Sequence, residues 1–239
     1  MSAPPAPPPP ERLVAQWLGR GRFEPVLRQQ LQARDALVEG RGPAMILLVE
    51  HPPVLTLGRR GERSDVLWSP ALLAARGVEV CETPRGGQVT LHAPGQLVAY
   101  PIVRIGWRVR EHITRLGRVA TRFFEDLGVK GPEFRIEHPG VWVDEHKIAS
   151  IGVHVSRGVT VQGIAMNLEV DPLLFGALVS CGMQGPPVVR NAKDLGARSI
   201  ALPDAARRWA EMFAEDLGAP LEWGPDPAPG PGSGPGPAG

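Results

Sequence analysis

Apolar residues recur along this chain in two periods, and the switches between them mark out its elements. Val26, Leu27, Leu31, Leu37 and Val38 fall near helical spacing, with Pro25 suited to a first turn and Gly40 to the stop, although Arg34 interrupts the stripe. Residues 44–49 are a continuous apolar run, which predicts a strand buried on both faces. His51, Pro52 and Pro53 break that run, and residues 54–57 resume it before the turn Gly58-Arg59-Arg60-Gly61. Ser69 and Pro70 supply a cap and a first position for a short helix that Gly77 closes, and residues 78–82 alternate as a strand. Ile113, Leu116, Val119, Ala120, Phe123, Phe124 and Leu127, ended by Gly128, predict a long helix lying on one face of a sheet. Residues 141–143, 147–155 and 159–168 read as strands joined by tight turns. A short apolar segment at 173–179 and a last amphipathic helix from about Pro203 to Leu217 complete the pattern. The order is neither regular βα alternation nor all-β. The expected fold class is therefore α/β (α+β), a mixed β-sheet core flanked by helices.

Composition narrows this reading at the ends. Residues 1–10 and 224–239 are Pro/Gly/Ala tracts without the apolar residues that offset ordering entropy, so both are expected to be disordered tails around one folded unit, residues 11–223. The first ten residues carry no basic start or apolar stretch of a secretory signal, and no run reaches transmembrane length. Charge is nearly balanced, 26 Lys+Arg against 25 Asp+Glu, which gives no electrostatic case for nucleic acid or an anionic membrane as main partner. The two cysteines, Cys81 and Cys181, have neither disulfide nor zinc-site spacing, so no metal is expected and a reducing, cytoplasmic setting fits best.

Residues 85–102 hold two glycine-bearing turns around a short strand, with an Arg, a His and two Gln beside them. That pattern reads equally as a pocket lined partly by main chain or as an ordinary hairpin with polar turns. Cys181 lies outside the predicted strands and helices, near Gly182 and Gly185-Pro186-Pro187, and reads as a nucleophile or as a buried thiol. A nucleophilic cysteine needs its thiolate stabilised, and Lys147, in a chain where lysine is scarce, stands where a turn enters a strand. Alone it would read as a solvated charge. His92 is a second pocket group or a structural histidine, and Cys81 belongs to packing.

Several blocks in order carry a more specific signal. Arg85-Gly86-Gly87 through Thr90 and His92 to Pro94-Gly95-Gln96-Leu97-Val98, then Lys147-Ile148-Ala149-Ser150-Ile151-Gly152, Gly163-Ile164-Ala165-Met166-Asn167-Leu168 and Cys181-Gly182-Met183 resemble the lipoyl(octanoyl) transferases. Glu50-His51-Pro52-Pro53 through Gly58-Arg59 resembles an earlier block of that family. The resemblance implies a biotin/lipoate protein ligase-like catalytic domain, with Cys181 as nucleophile and Lys147 as its partner. It further implies acyl binding by Arg85, Gly86, Gly87, Gln88, Val89, Thr90, Leu91 and His92, by Ser150, Ile151 and Gly152, and by Gly163, Ile164 and Ala165. The implied donor is octanoyl-acyl carrier protein; the implied acceptors are lipoyl domains of 2-oxoacid dehydrogenases and the glycine cleavage H protein. No cofactor is implied, and the chain has no Walker loop. The alternatives are an ATP-dependent lipoate or biotin ligase on the same fold and a non-catalytic acyl-carrier-binding module. Leu91 replaces the family's common Tyr, Ala93 its Gly, Gln162 its His and Ser180 its Pro, and residues 188–191 lack the usual Thr-Ser pair. These departures bear on acyl-chain fit or rate more than on reaction class.

Overall fold

The computed structural model describes residues 7–178 and 189–225. Its main sheet has eight strands: β1 (Leu13–Arg20), β2 (Ala44–Glu50), β6 (Gln96–Ile102), β7 (Glu133–Arg135), β8 (Gly140–Val143), β9 (His146–Ser156), β10 (Val159–Asn167) and β11 (Leu221–Trp223). They lie in the order β11-β1-β2-β6-β10-β9-β8-β7, with β1 parallel to both neighbours and the remaining pairs antiparallel. A second sheet places β3 (Val54–Leu57) between β4 (Glu79–Glu82) and β5 (Val89–His92). The helices are α1 (Phe23–Val38), α2 (Pro70–Ala75), α3 (Val109–Asp126) and α4 (Leu202–Leu217). The expected mixed sheet flanked by helices is what forms.

Strand periodicity explains the layering. Ile46 and Leu48 of β2 point into a core shared with α3 and α4, while Leu47 and Val49 point into a second core against α1. The continuous apolar run of β2 is thus buried on both faces, as its sequence predicts. On α3, Leu116, Val119, Ala120, Phe123 and Phe124 are fully buried, and each large side chain contributes about 1.5–3 kcal/mol through removal from water. A third cluster joins Leu55, Leu57 and Leu91 of the small sheet to Leu174 and Phe175 in a 3-10 helix, Pro172–Ala177. The apolar segment at 173–179 therefore forms that helix as far as Ala177, and Val179 falls outside the described residues.

Local signals act as their chemistry dictates. Ser69 Oγ accepts from the Leu72 N–H at 3.3 Å, and Gly128 takes φ 94° just past α3. Three strands were not predicted, β1, β7 and β11. β1 abuts a Pro-rich stretch and is broken by Gly19, and β7 and β11 are only three residues long; β1 pairs with β2 on one side and supports β11 on the other, with Leu13 opposite both Ala44 and Leu221. Among the described residues no helix is long and apolar enough to cross a membrane.

Two sites in α3 set limits on the core. Gly117 faces Phe134 so closely that a Cβ there would overlap the ring. Gly117→Ala should therefore lower stability by about 1–3 kcal/mol in urea unfolding, despite alanine's better helix propensity. His112 is 1 % exposed, edge-on to Phe213 at 6.5 Å, and neither ring nitrogen has a hydrogen-bond partner among the described residues. Burial, with Arg115 nearby, pushes its pKa from 6.5 down to about 3. Above pH 6.5 the ring is neutral in both folded and unfolded chains; below it only the unfolded chain takes up the proton, so stability falls with falling pH until about 3. Between pH 7.5 and 5.5 the wild type should lose about 1 kcal/mol more than His112→Leu in parallel urea titrations.

Candidate acyl site between the two sheets

The loop of residues 85–88 joins β4 to β5 of the small sheet and touches the large one. Gly58, Arg59 and Arg60 donate backbone N–H groups to the carbonyls of Gln88, Arg85 and Gly87 at 2.8, 3.0 and 3.1 Å, and Gly86 N–H donates to Val153 O of β9 at 3.1 Å. Gly87 holds φ 88°, which a side chain would oppose. Beneath the loop the Arg85 guanidinium turns inward, 5 % exposed, and donates through Nη2 to Thr56 O at 2.6 Å and Thr56 Oγ1 at 2.9 Å. Its Nη1 donates to Gly86 O at 3.0 Å. A buried cation is tolerable only when so bonded, and here it fastens the loop to β3.

Under this loop lies a cavity of about 220 Å³. Arg85, Gly86, Gly87, Gln88, Val89, Thr90 and Leu91 form one side, and Lys147, Ser150 and Ile151 of β9 another. A second chamber of about 20 Å³ shares Arg85, Thr90 and Ser150 with it and is otherwise walled by His92, Val98, Tyr100, Gly152, Gln162, Gly163, Ile164 and Ala165. Every sequence-proposed residue except Cys181 thus lines one of two adjoining spaces. Cys181 lies outside the described residues.

A bulge brings Lys147 to this wall. β8 pairs Val141 with Ala149 but Trp142 with Lys147, so Ile148 has no partner and the strand's phase shifts there. Without the shift Lys147 would face away from Ser150 and Gly152, since side chains alternate along a strand. Its Nζ sits 5.3 Å from the Trp142 ring centroid, a cation–π contact, and the missing side chain of Gly140 leaves space for its Cε. Val189 bridges to Lys147 in parallel, and Arg190 N–H donates to Lys147 O at 3.1 Å.

A buried polar network stiffens the back wall. Gln96 donates through Nε2 to Leu91 O at 3.1 Å and Asn167 Oδ1 at 2.9 Å, which leaves its Oε1 to accept from His92 Nδ1 at 2.8 Å. His92 therefore carries its proton on Nδ1. Burial, reinforced by His51, pushes its pKa down to about 3, so it serves as a neutral structural donor and not as a base near neutral pH. His51 donates from Nδ1 to Gly21 O at 2.6 Å and accepts from the Tyr100 hydroxyl at 2.9 Å; burial holds it down to about 4. Glu50 Oε1 accepts from Gly95 N–H at 2.9 Å, and any side chain at Gly95 would run into Glu169 O. Cys81 is half-buried in β4, with its thiol pKa raised chiefly by burial.

Sequence reasoning did not assign Arg60, Gln96, Glu137, His138, Pro139, Asn167, Phe175, Leu178 or Val189 to the cavity that they line. Gln96 and Asn167 stand inside the quoted blocks, and residues 137–140 form a Glu-His-Pro-Gly turn that a search for polar turns would find. Phe175 and Leu178 carry no such signal, because apolar residues there read as core. Among the described residues no three His, Cys, Asp or Glu side chains are grouped to hold a metal.

The family model of the lipoyl protein ligase A/B catalytic domain matches residues 27–214. The octanoyltransferase of Koribacter versatilis is 39% identical over 221 residues, covering 85% of this chain and 86% of the relative. That of Acidobacterium capsulatum is 38% identical over 223 residues, covering 86% and 90%. In three dimensions the chain is similar to lipoate-protein ligase A bound with ATP, with TM-score 0.71, 12% identity and 88% of each chain covered. It is also similar to the bi-partite lipoate protein ligase of Thermoplasma acidophilum, with TM-score 0.69, 13% identity and 89% and 86% covered. Those two likenesses establish the fold as that of lipoate ligase catalytic domains; the sequence matches carry the family. By those sequence matches the chain belongs to the lipoyl protein ligase A/B catalytic domain family, and within it to the octanoyltransferases, which are acyltransferases.

Proposed function

We propose that this protein transfers an octanoyl group from the thioester of an acyl carrier protein to a lysine of a lipoyl domain, by way of a thioester on Cys181. The observation that carries this reading is the cavity itself. Two segments far apart in sequence, residues 85–91 and 150–151, together with Lys147, wall the larger space, and so do Leu178 and Val189, the described flanks of residues 179–188, while residues 163–165 line the chamber that adjoins it. Cys181 is three residues from Leu178, a span of at most ~11 Å. The proposed catalytic unit is residues 11–223, and the pairing of β1 with β11 at its two ends supports those limits.

The chemistry balances around a thiolate and an ammonium. A free thiol with pKa ~8.5 is only a few per cent ionised at neutral pH, and the positive charge of Lys147 favours the thiolate. Cys181 Sγ attacks the octanoyl carbonyl, a new C–S bond forms, the carrier's C–S bond breaks, and Lys147 protonates the departing carrier thiolate. Lys147, now neutral, takes a proton from the attacking lysine amine of the acceptor. The C–N bond forms, the Cys181 thiolate leaves, and the starting ion pair is restored. Thioester exchange is close to isoenergetic and amide formation is downhill, so the cycle needs no nucleotide.

Incubation with octanoyl carrier protein should add one octanoyl group by intact mass, labile to hydroxylamine and absent in Cys181→Ala. Lys147→Ala should slow transfer to a lipoyl domain by roughly 10²–10⁴-fold. The shared ligase fold defines the competing reaction: lipoyl-domain modification that requires ATP and survives Cys181→Ser would replace this proposal with an adenylate mechanism.

A further inference from the structure

The two adjoining spaces form a measuring device. Both touch Ser150, but only the larger one touches Lys147 and only the smaller one Gly152. Along β9, Ser150 is three residues from Lys147, but the bulge at Ile148 removes about one residue from the rise, which leaves roughly 7 Å at ~3.3 Å per residue. The seven C–C bonds of an octanoyl chain, each ~1.5 Å, span roughly 9 Å in zigzag. A chain whose carbonyl carbon lies beside Lys147 therefore reaches the neck formed by Arg85, Thr90 and Ser150 and passes its last one or two carbons into the inner chamber.

What lies beyond the neck is only partly apolar, with Val98, Ile164 and Ala165 set among polar groups. The inner chamber, about 20 Å³, has room for one water molecule and is faced by Thr90, Ser150, His92, Tyr100 and Gln162. A longer acyl chain would have to press methylenes against groups that require hydrogen-bond partners. Gln162 closes this chamber in an unusual conformation. It sits within β10 at φ 65°, a left-handed value that costs a non-glycine residue on the order of 1 kcal/mol or more. Two contacts hold it there. Gln30 Oε1 of α1 accepts from the Gln162 N–H at 2.8 Å, and the Gln162 side chain donates from Nε2 to Thr83 Oγ1 at 2.9 Å. Gln30 and Thr83 are themselves buried. The strain is thus overdetermined at one point, the end wall.

We propose that Gln162, pinned by Gln30 and Thr83, sets the upper limit on acyl length at about eight carbons and is a specificity-determining residue of this enzyme. The inference rests on the acyl-transfer reading above. Its test compares eight-, ten- and twelve-carbon acyl carrier thioesters, reading initial rates of acyl-enzyme formation on the full chain. A parallel measurement reads equilibrium binding of the matching free fatty acids.

In the wild type the rate should fall about tenfold or more from eight to ten carbons. Gln162→Gly accepts the left-handed backbone without steric cost, keeps the N–H that binds Gln30 and removes the end wall; the ten-to-eight ratio should rise about tenfold in rate and in binding. Thr83→Val keeps the shape but frees the Gln162 amide, and should shift the ratio the same way by less, which decides the matter if Gln162→Gly fails to fold. An unchanged ratio in a folded variant, or a wild type indifferent to length, would overturn the ruler while octanoyl transfer stood. A wild type that forms no acyl-enzyme yet binds octanoate in preference to decanoate would overturn the transfer reading and support the ruler.

Discussion

A buried guanidinium holds this site together. Arg85 cannot lie under the glycine-rich loop unless carbonyl and hydroxyl oxygens surround it, and Thr56 and Gly86 supply them. Hydrogen bonds to a charged group are worth about 1.5–3 kcal/mol each, and leaving such a group unsatisfied costs more. The loop consequently has little freedom to lift away from β3. Because the same loop reaches β9 through Gly86, the spacing between the two sheets, and with it the width of the cavity, follows from where Arg85 sits.

The back wall obeys a related rule with neutral groups. His92, Gln96, Asn167 and the Leu91 carbonyl satisfy one another away from solvent, and burial keeps both His92 and His51 uncharged. Such a network is rigid because each member has few alternative partners. It gives the cavity a firm boundary that stays uncharged near neutral pH. Lys147 remains the basic side chain that β9 presents to the slot.

Where one residue type admits one explanation, the sequence was readable. The unbroken apolar run of β2, the heptad-like stripe of α3 and the Ser69-Pro70 start all translated directly into structure. That the glycine-bearing segments approach one another around a cavity was readable for the same reason, since close backbone approach leaves few substitutes for glycine. The rest depended on partners. β1 and β11 are too short or too interrupted to declare themselves, and β1 forms against β2 and then supports β11. The bulge at Ile148, which aims Lys147, is a property of register between two strands, and the left-handed turn at Gln162 depends on a glutamine 132 positions away. Neither leaves a local mark in the chain.

The pairing of the first and last strands also has a topological consequence. Gly224 N–H donates to Ala15 O at 2.8 Å, so the first and last described strands run side by side in the same direction, at an edge three strands removed from β6, the nearest strand to the cavities. The polypeptide is in effect an almost closed ring whose seam lies far from the chemistry. A few linking residues could seal that seam and let the backbone be opened at another surface loop, so the order in which the segments are synthesised is separable from the architecture they build.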